Sequence, residues 1–158
     1  MASKKELPDF QEKRRILFGP KTTPAALRET GRLFMHAERY DDALEFFSRT
    51  DAADEVRKIA QIALTRGDTS LFLRAKRVLK EKATEEELSA VARNALAAGR
   101  KPMAYVALLK AGHAEEAEKL RAELFGSETR PGGSQEPAPA GPASAAPQQE
   151  KEAAPQKK

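Results

Sequence analysis

Cysteine is absent from the 158 residues, and so is tryptophan. The first absence excludes disulfides, thiolate metal sites and cysteine nucleophiles. The second, with aromatics at only 6%, leaves a core that must be built mostly from Leu, Ala, Val and Ile, which suits helices packed closely side by side. No stretch comes near the ~18 consecutive apolar residues that a spanning helix requires, so no membrane span is expected. The segment Met1-Ala2-Ser3-Lys4-Lys5-Glu6 leads into no apolar run of signal-peptide length, and a cytoplasmic location is expected. Histidine is scarce: His36 and His113 stand alone in different segments. Zinc needs three or four convergent ligands, so neither a metal nor a cofactor is expected. Gly132-Gly133-Ser134 has no strand before it and is not a phosphate loop.

Charge of one sign is also missing from the bulk of the chain. The net charge is +4, but residues 1–21 hold six Lys/Arg against three acids, residues 22–126 hold 18 against 17, and residues 127–158 hold four against four. A nearly neutral body is not the basic stripe of a committed nucleic-acid binder. Acidic clusters at Asp41-Asp42, Glu85-Glu86-Glu87 and Glu115-Glu116 each fall in the first turn of a predicted helix, where they complement the helix dipole. No catalytic constellation stands out, and no enzyme activity is expected.

A small-residue turn between helix-like runs recurs at Ala37-Glu38-Arg39-Tyr40, Thr65-Arg66-Gly67-Asp68, Ala97-Ala98-Gly99-Arg100 and Lys110-Ala111-Gly112-His113. Around these turns the periodicity predicts seven helices in residues 23–126: from Pro24 to about Ala37, 41–48, 52–65, 69–82, one opened by the capping box Thr84-Glu85-Glu86-Glu87, 102–110 and 114–124. Strand-like alternation is absent, and such short connections force antiparallel neighbours. Residues 1–22 form a separate N-terminal segment, where Phe10, Ile16, Leu17 and Phe18 predict a short helix from about Pro8 to Phe18. It reads either as a cap on the first hairpin or as a linear motif for another protein. Residues 127–158 are rich in Pro, Ala, Gly, Gln and Ser and are expected to be a disordered tail.

The stretch Gly31-x-x-Phe34-x-x-x-x-x-Tyr40-x-x-Ala43-x-x-x-Phe47 resembles one tetratricopeptide (TPR) repeat. Ala60, Ala63 and Gly67 repeat its first-helix pattern, as do Ala92, Ala95 and Gly99, followed by Ala104, Leu108 and Ala111. The resemblance covers residues 24–111. Its spacings, from 31 to 60 to 92, are shorter than the family's period of about 34 residues, and the family's Trp and closing Pro are missing. A looser solenoid of helical hairpins fits the same turns. The resemblance implies an all-α, short right-handed superhelix of about seven antiparallel helices, working as a non-catalytic interaction adaptor.

In the TPR-like register the first helix of each hairpin lines a concave groove. Arg28, Arg32, Met35 and His36 would face it from the first hairpin, Arg57, Gln61 and Leu64 from the second, and Ser89, Arg93 and Leu96 from the third. Four arginines in one trough would suit an acidic peptide segment, since guanidinium groups bind carboxylates in two-pronged fashion. A nucleic-acid-associated repeat is the alternative, using the N-terminal segment and the basic run Arg74, Lys76, Arg77, Lys80 and Lys82. Self-association through the ends of so short an array is a third reading.

Overall fold

The computed structural model describes residues 7–126, and the expected tail at 127–158 lies outside the described residues. Eight helices follow in order: α1 (Phe10–Phe18), α2 (Pro24–His36), α3 (Tyr40–Phe47), α4 (Ala53–Arg66), α5 (Thr69–Leu79), α6 (Glu85–Ala97), α7 (Lys101–Ala111) and α8 (Ala114–Phe125). There is no strand among the described residues.

The helix boundaries follow from local chemistry. Thr23 caps α2 by accepting from the Ala26 N–H, with Pro24 in the first turn. Asp68 caps α5 through the Leu71 N–H. Thr84 and Glu87 form a complete capping box at α6. Two boundaries differ from the sequence-based expectation by more than one residue. Helix α1 starts at Phe10 rather than Pro8, because the Asp9 carboxylate accepts from the Glu12 N–H at 2.8 Å and so fixes the start. Helix α5 stops at Leu79, because Lys80 turns left-handed (φ 57°) and the Glu81 N–H returns to the Lys76 carbonyl.

The recurring turns share one device. Glu38, Gly67, Gly99 and Gly112 all hold positive φ, between 59° and 87°. Each lets a helix stop and the chain reverse within two or three residues. At Gly67 a second constraint applies: an added Cβ would lie 2.3 Å from the Ala95 backbone nitrogen. Only glycine lets α4 approach α6 this closely there.

Consecutive helices form antiparallel hairpins. Across α2 and α3, Gly31 meets the Phe47 ring and Phe34 stacks on Phe46 with centroids 5.4 Å apart; as one number rises the other falls. Alternate helices instead run parallel. Arg28 donates to the Asp51 carbonyl and Arg32 to the Glu55 carboxylate, both 23 residues ahead, joining α2 to the start of α4. Asn94 on α6 donates to the Leu64 carbonyl at the end of α4. The second helices are tied the same way: Arg74 of α5 pairs with Asp41 of α3, and the fully buried Thr69 hydroxyl donates to the Met103 carbonyl of α7.

One core threads the stack, from Leu17 through Phe34, Phe46, Phe47 and Phe72 to Ala95, Ala107 and Leu120. Each buried large side chain contributes ~1.5–3 kcal/mol by leaving water. Helix α1 is fastened to the first hairpin by Leu17, which is buried, and by Lys13, which reaches Asp42 at 2.5 Å and Glu45 at 2.6 Å on α3. Burial opposes charge on Lys13, but its bonds to Asp42 and Glu45 outweigh that and hold its pKa above the usual lysine value.

Candidate functional site

The starts of α2, α4, α6 and α8 at 24, 53, 85 and 114 set the register of the first-helix face. Equivalent positions along it are Arg28, Arg57 and Ser89; Arg32, Gln61 and Arg93; and Met35, Leu64 and Leu96. The same offsets on α8 fall at Glu118, Ala122 and Phe125. Gln61, Arg93 and His36 are exposed; Arg28, Met35 and Leu64 are half-buried. Leu96 is 43% exposed and Phe125 is 68% exposed.

The arginines do not gather in one trough. Arg28 and Arg32 line a shallow concavity of about 550 Å3 with Pro24, Ala25, Glu29, Thr50 and Asp51. Arg57, Gln61 and Leu64 line another of about 200 Å3, with Phe72, Leu79, Lys76, Glu81 and Glu87 among its walls. Arg93 and Leu96 line neither. The physical reason is that acids of the same chain intervene. Arg32 pairs with Glu55 at 2.6 Å, and that hydrogen bond holds the Glu55 carboxyl below its usual range, against a smaller effect of burial. Arg57 pairs with Asp54 at 3.1 Å and Glu81 at 3.5 Å. Arg93 carries no hydrogen bond or ion pair among the described residues, so its charge faces solvent unmatched.

The basic run of α5 is likewise divided. Lys76 lies folded over the Phe72 ring at 5.8 Å and pairs with Glu87 at 2.7 Å and Glu81 at 3.3 Å. The Glu87 bond raises its pKa, and burial opposes this less strongly. For Glu87, burial pushes the pKa up, but Lys76 and the Thr84 cap outweigh it and leave the carboxyl below its usual range. Arg74 is engaged by Asp41. Lys76 therefore belongs to the joint between α5 and α6.

One juxtaposition has the residue types of a hydrolytic relay. Ser89 Oγ is 3.0 Å from His113 Nε2, and Glu85 Oε1 is 3.6 Å from the same nitrogen. A relay needs the carboxylate on the opposite ring nitrogen, to orient the imidazole while the serine proton leaves. Here both groups compete for Nε2, and the contact joins α6 to the cap of α8. Among the described residues no group of three His, Asp or Glu side chains is placed to hold a metal ion, and no buried side-chain nitrogen or oxygen lacks a partner.

Sequence reasoning missed Phe125, although it has the same offset on α8 as Leu96 has on α6. It also missed how fully the acids answer the arginines: Asp54 three residues before Arg57 on the same helix, Glu55 on a different helix from Arg32, and Glu81 between α5 and α6. No helix among the described residues is long and apolar enough to cross a membrane. Compared with known proteins, the chain matches no family model, no curated protein and no solved structure.

Proposed function

We propose that the protein is a non-catalytic interaction adaptor: a short, right-handed, TPR-like superhelix that holds a partner's acidic segment on its first-helix face. The observation that carries this reading is the pairing of an unmatched cation with an apolar step at the third hairpin. Arg93 is exposed and without an ion pair among the described residues, Leu96 beside it is 43% exposed, and Phe125, at the same offset on α8, is 68% exposed. An amphipathic acidic segment would set a carboxylate against Arg93 and apolar side chains against Leu96 and Phe125. The Arg57 pairs are exposed and contribute at most ~1 kcal/mol each, so a partner's carboxylate can exchange with Asp54 or Glu81 at little loss, whereas Arg32 is held by Glu55, whose side chain is only 14% exposed.

The test is affinity purification from the native host with the wild type and with Arg57→Glu combined with Arg93→Glu. Loss of a partner that the wild type retains supports the reading. Unchanged recovery of every partner overturns it.

A further inference from the structure

We propose that α1 is a membrane-docking element, whose outward face lies against an anionic lipid surface. Three of the exposed large apolar side chains of the described residues fall in its vicinity: Leu7 at 36%, Phe10 at 77% and Phe18 at 61% exposure. Within the helix, Phe10, Arg14 and Phe18 recur at every fourth residue. They fall within an arc of about 80°, with the two rings roughly 12 Å apart along the axis and Arg14 between them. The side of α1 that flanks this arc is spent on structure, through Leu17 in the core, about 20° around the axis from Phe10, and Lys13 clasped by Asp42 and Glu45. A cap needs only that inner side. Beyond the Arg49 contact on Phe18, the two phenylalanines of the arc stand in water.

The lining of this patch carries charge of one sign, although Asp9 and Glu12 lie on the same helix start. Its lining is Phe10, Gln11, Arg14, Arg15, Phe18 and Gly19, with no carboxylate, whereas the concavities beside α2 and beside α4 each include acids. Arg14 is exposed and carries no ion pair among the described residues. Arg15 is 76% exposed although it meets Glu12, and the Arg49 guanidinium sits 4.4 Å over the Phe18 ring. Lys21 follows the helix, and Lys4 and Lys5 precede it in the sequence.

The shape selects the kind of partner. Every lining residue comes from α1 or from Gly19 just after it, so no second element walls the patch. An unwalled apolar strip fringed by arginines gives a peptide no groove to enter. It matches a plane whose surface is anionic and whose interior accepts aromatic rings, which is the chemistry of a bilayer interface. The first-helix face is not used, so docking would leave it open to a protein partner.

The full chain is sedimented with vesicles of phosphatidylcholine alone or with phosphatidylglycerol added. Co-sedimentation is expected with the anionic vesicles at low salt, weakening as salt is raised. Phe10→Ser with Phe18→Ser is expected to reduce it by about tenfold or more, and Arg14→Glu with Arg15→Glu by a similar factor. Leu109→Ser, an exposed apolar position on α7, should leave it unchanged. The arginine variant removes no core side chain, and melting curves confirm that each variant folds. No binding to the anionic vesicles, or binding that both double variants retain, overturns the proposal. So does binding of a single-stranded oligonucleotide that the same variants abolish while the vesicles leave the protein in solution.

Discussion

The first hairpin, α2–α3, and the third, α6–α7, follow one plan with different fillings. In the first, a glycine faces an aromatic ring: Gly31 leaves room for Phe47, and Phe34 and Phe46 stack beside them, all three rings fully buried. In the third, Ala92, Ala95, Ala104 and Ala107 occupy the interior with Val91, Leu88 and Leu108, and no aromatic is fully buried. Both hairpins nonetheless turn through a positive-φ residue, Glu38 or Gly99. The turn and the helix lengths therefore set the hairpin, and the filling sets how closely its helices approach. The two fillings should fail in opposite ways: the aromatic one by losing volume, the alanine one by gaining it.

The largest expected effect is on the aromatic side. Phe46→Ala removes a fully buried ring and its stack on Phe34, and should destabilise the fold by about 3–5 kcal/mol in a denaturant titration. On the alanine side Ala107→Leu inserts bulk where relative exposure is 0%, with an expected loss of roughly 1–3 kcal/mol. If Ala107→Leu were neutral, the third hairpin would be loosely filled rather than tightly approached, and the contrast would fall. Thr84→Ala removes the capping box that opens α6 and should lower stability by about 1 kcal/mol; Thr23→Ala, which removes the simpler cap of α2 in the first hairpin, should cost no more.

The smallest effect is that of pH, and it is common to both regions, since Asp42 on α3 and Glu87 on α6 both end below the usual carboxyl value. For Asp42, burial raises the pKa, but Lys13 and Arg39 outweigh it and the carboxyl ends below its usual 3.8. A carboxyl depressed in the folded state contributes stability that is present above its ordinary value and lost as pH falls through the folded one. Lys13, raised above 10.5, contributes stability present below that value and lost as pH rises past it. Melting temperature should therefore decline below about pH 4 and again above about pH 10.5. In the Lys13→Met variant the acid-side decline should shrink. An unchanged acid-side profile in that variant would show that the α1–α3 pair carries none of it.

Much of this was legible beforehand, for reasons that can be named. Thr23-Pro24, Thr84 with Glu87, and the glycines at 67, 99 and 112 are local signals, and local hydrogen bonds or φ requirements enforce them. Helix ends at Asp9 and Lys80 were misplaced by two or three residues because a cap competed with periodicity. The arginine groove was read as continuous because each first helix, taken alone, shows its arginines on one side. Asp54 is a same-helix partner of Arg57, but Glu55 for Arg32 and Glu81 for Arg57 lie further along the chain, and helix periodicity does not reveal such partners.

The sequence by itself determined the all-helical character, the positions of the turns and the spacing of the hairpins, because all three depend on residues within a turn or two of one another. The tertiary structure alone decided which charges are spent. Glu55 meets Arg32, Glu87 meets Lys76, and Lys13 meets Asp42 and Glu45, while Arg14 and Arg93 stay open and Phe10, Phe18 and Phe125 stay exposed. Coulombic pairing and burial depend on which helices are neighbours in space, and that neighbourhood exists only once the hairpins have stacked.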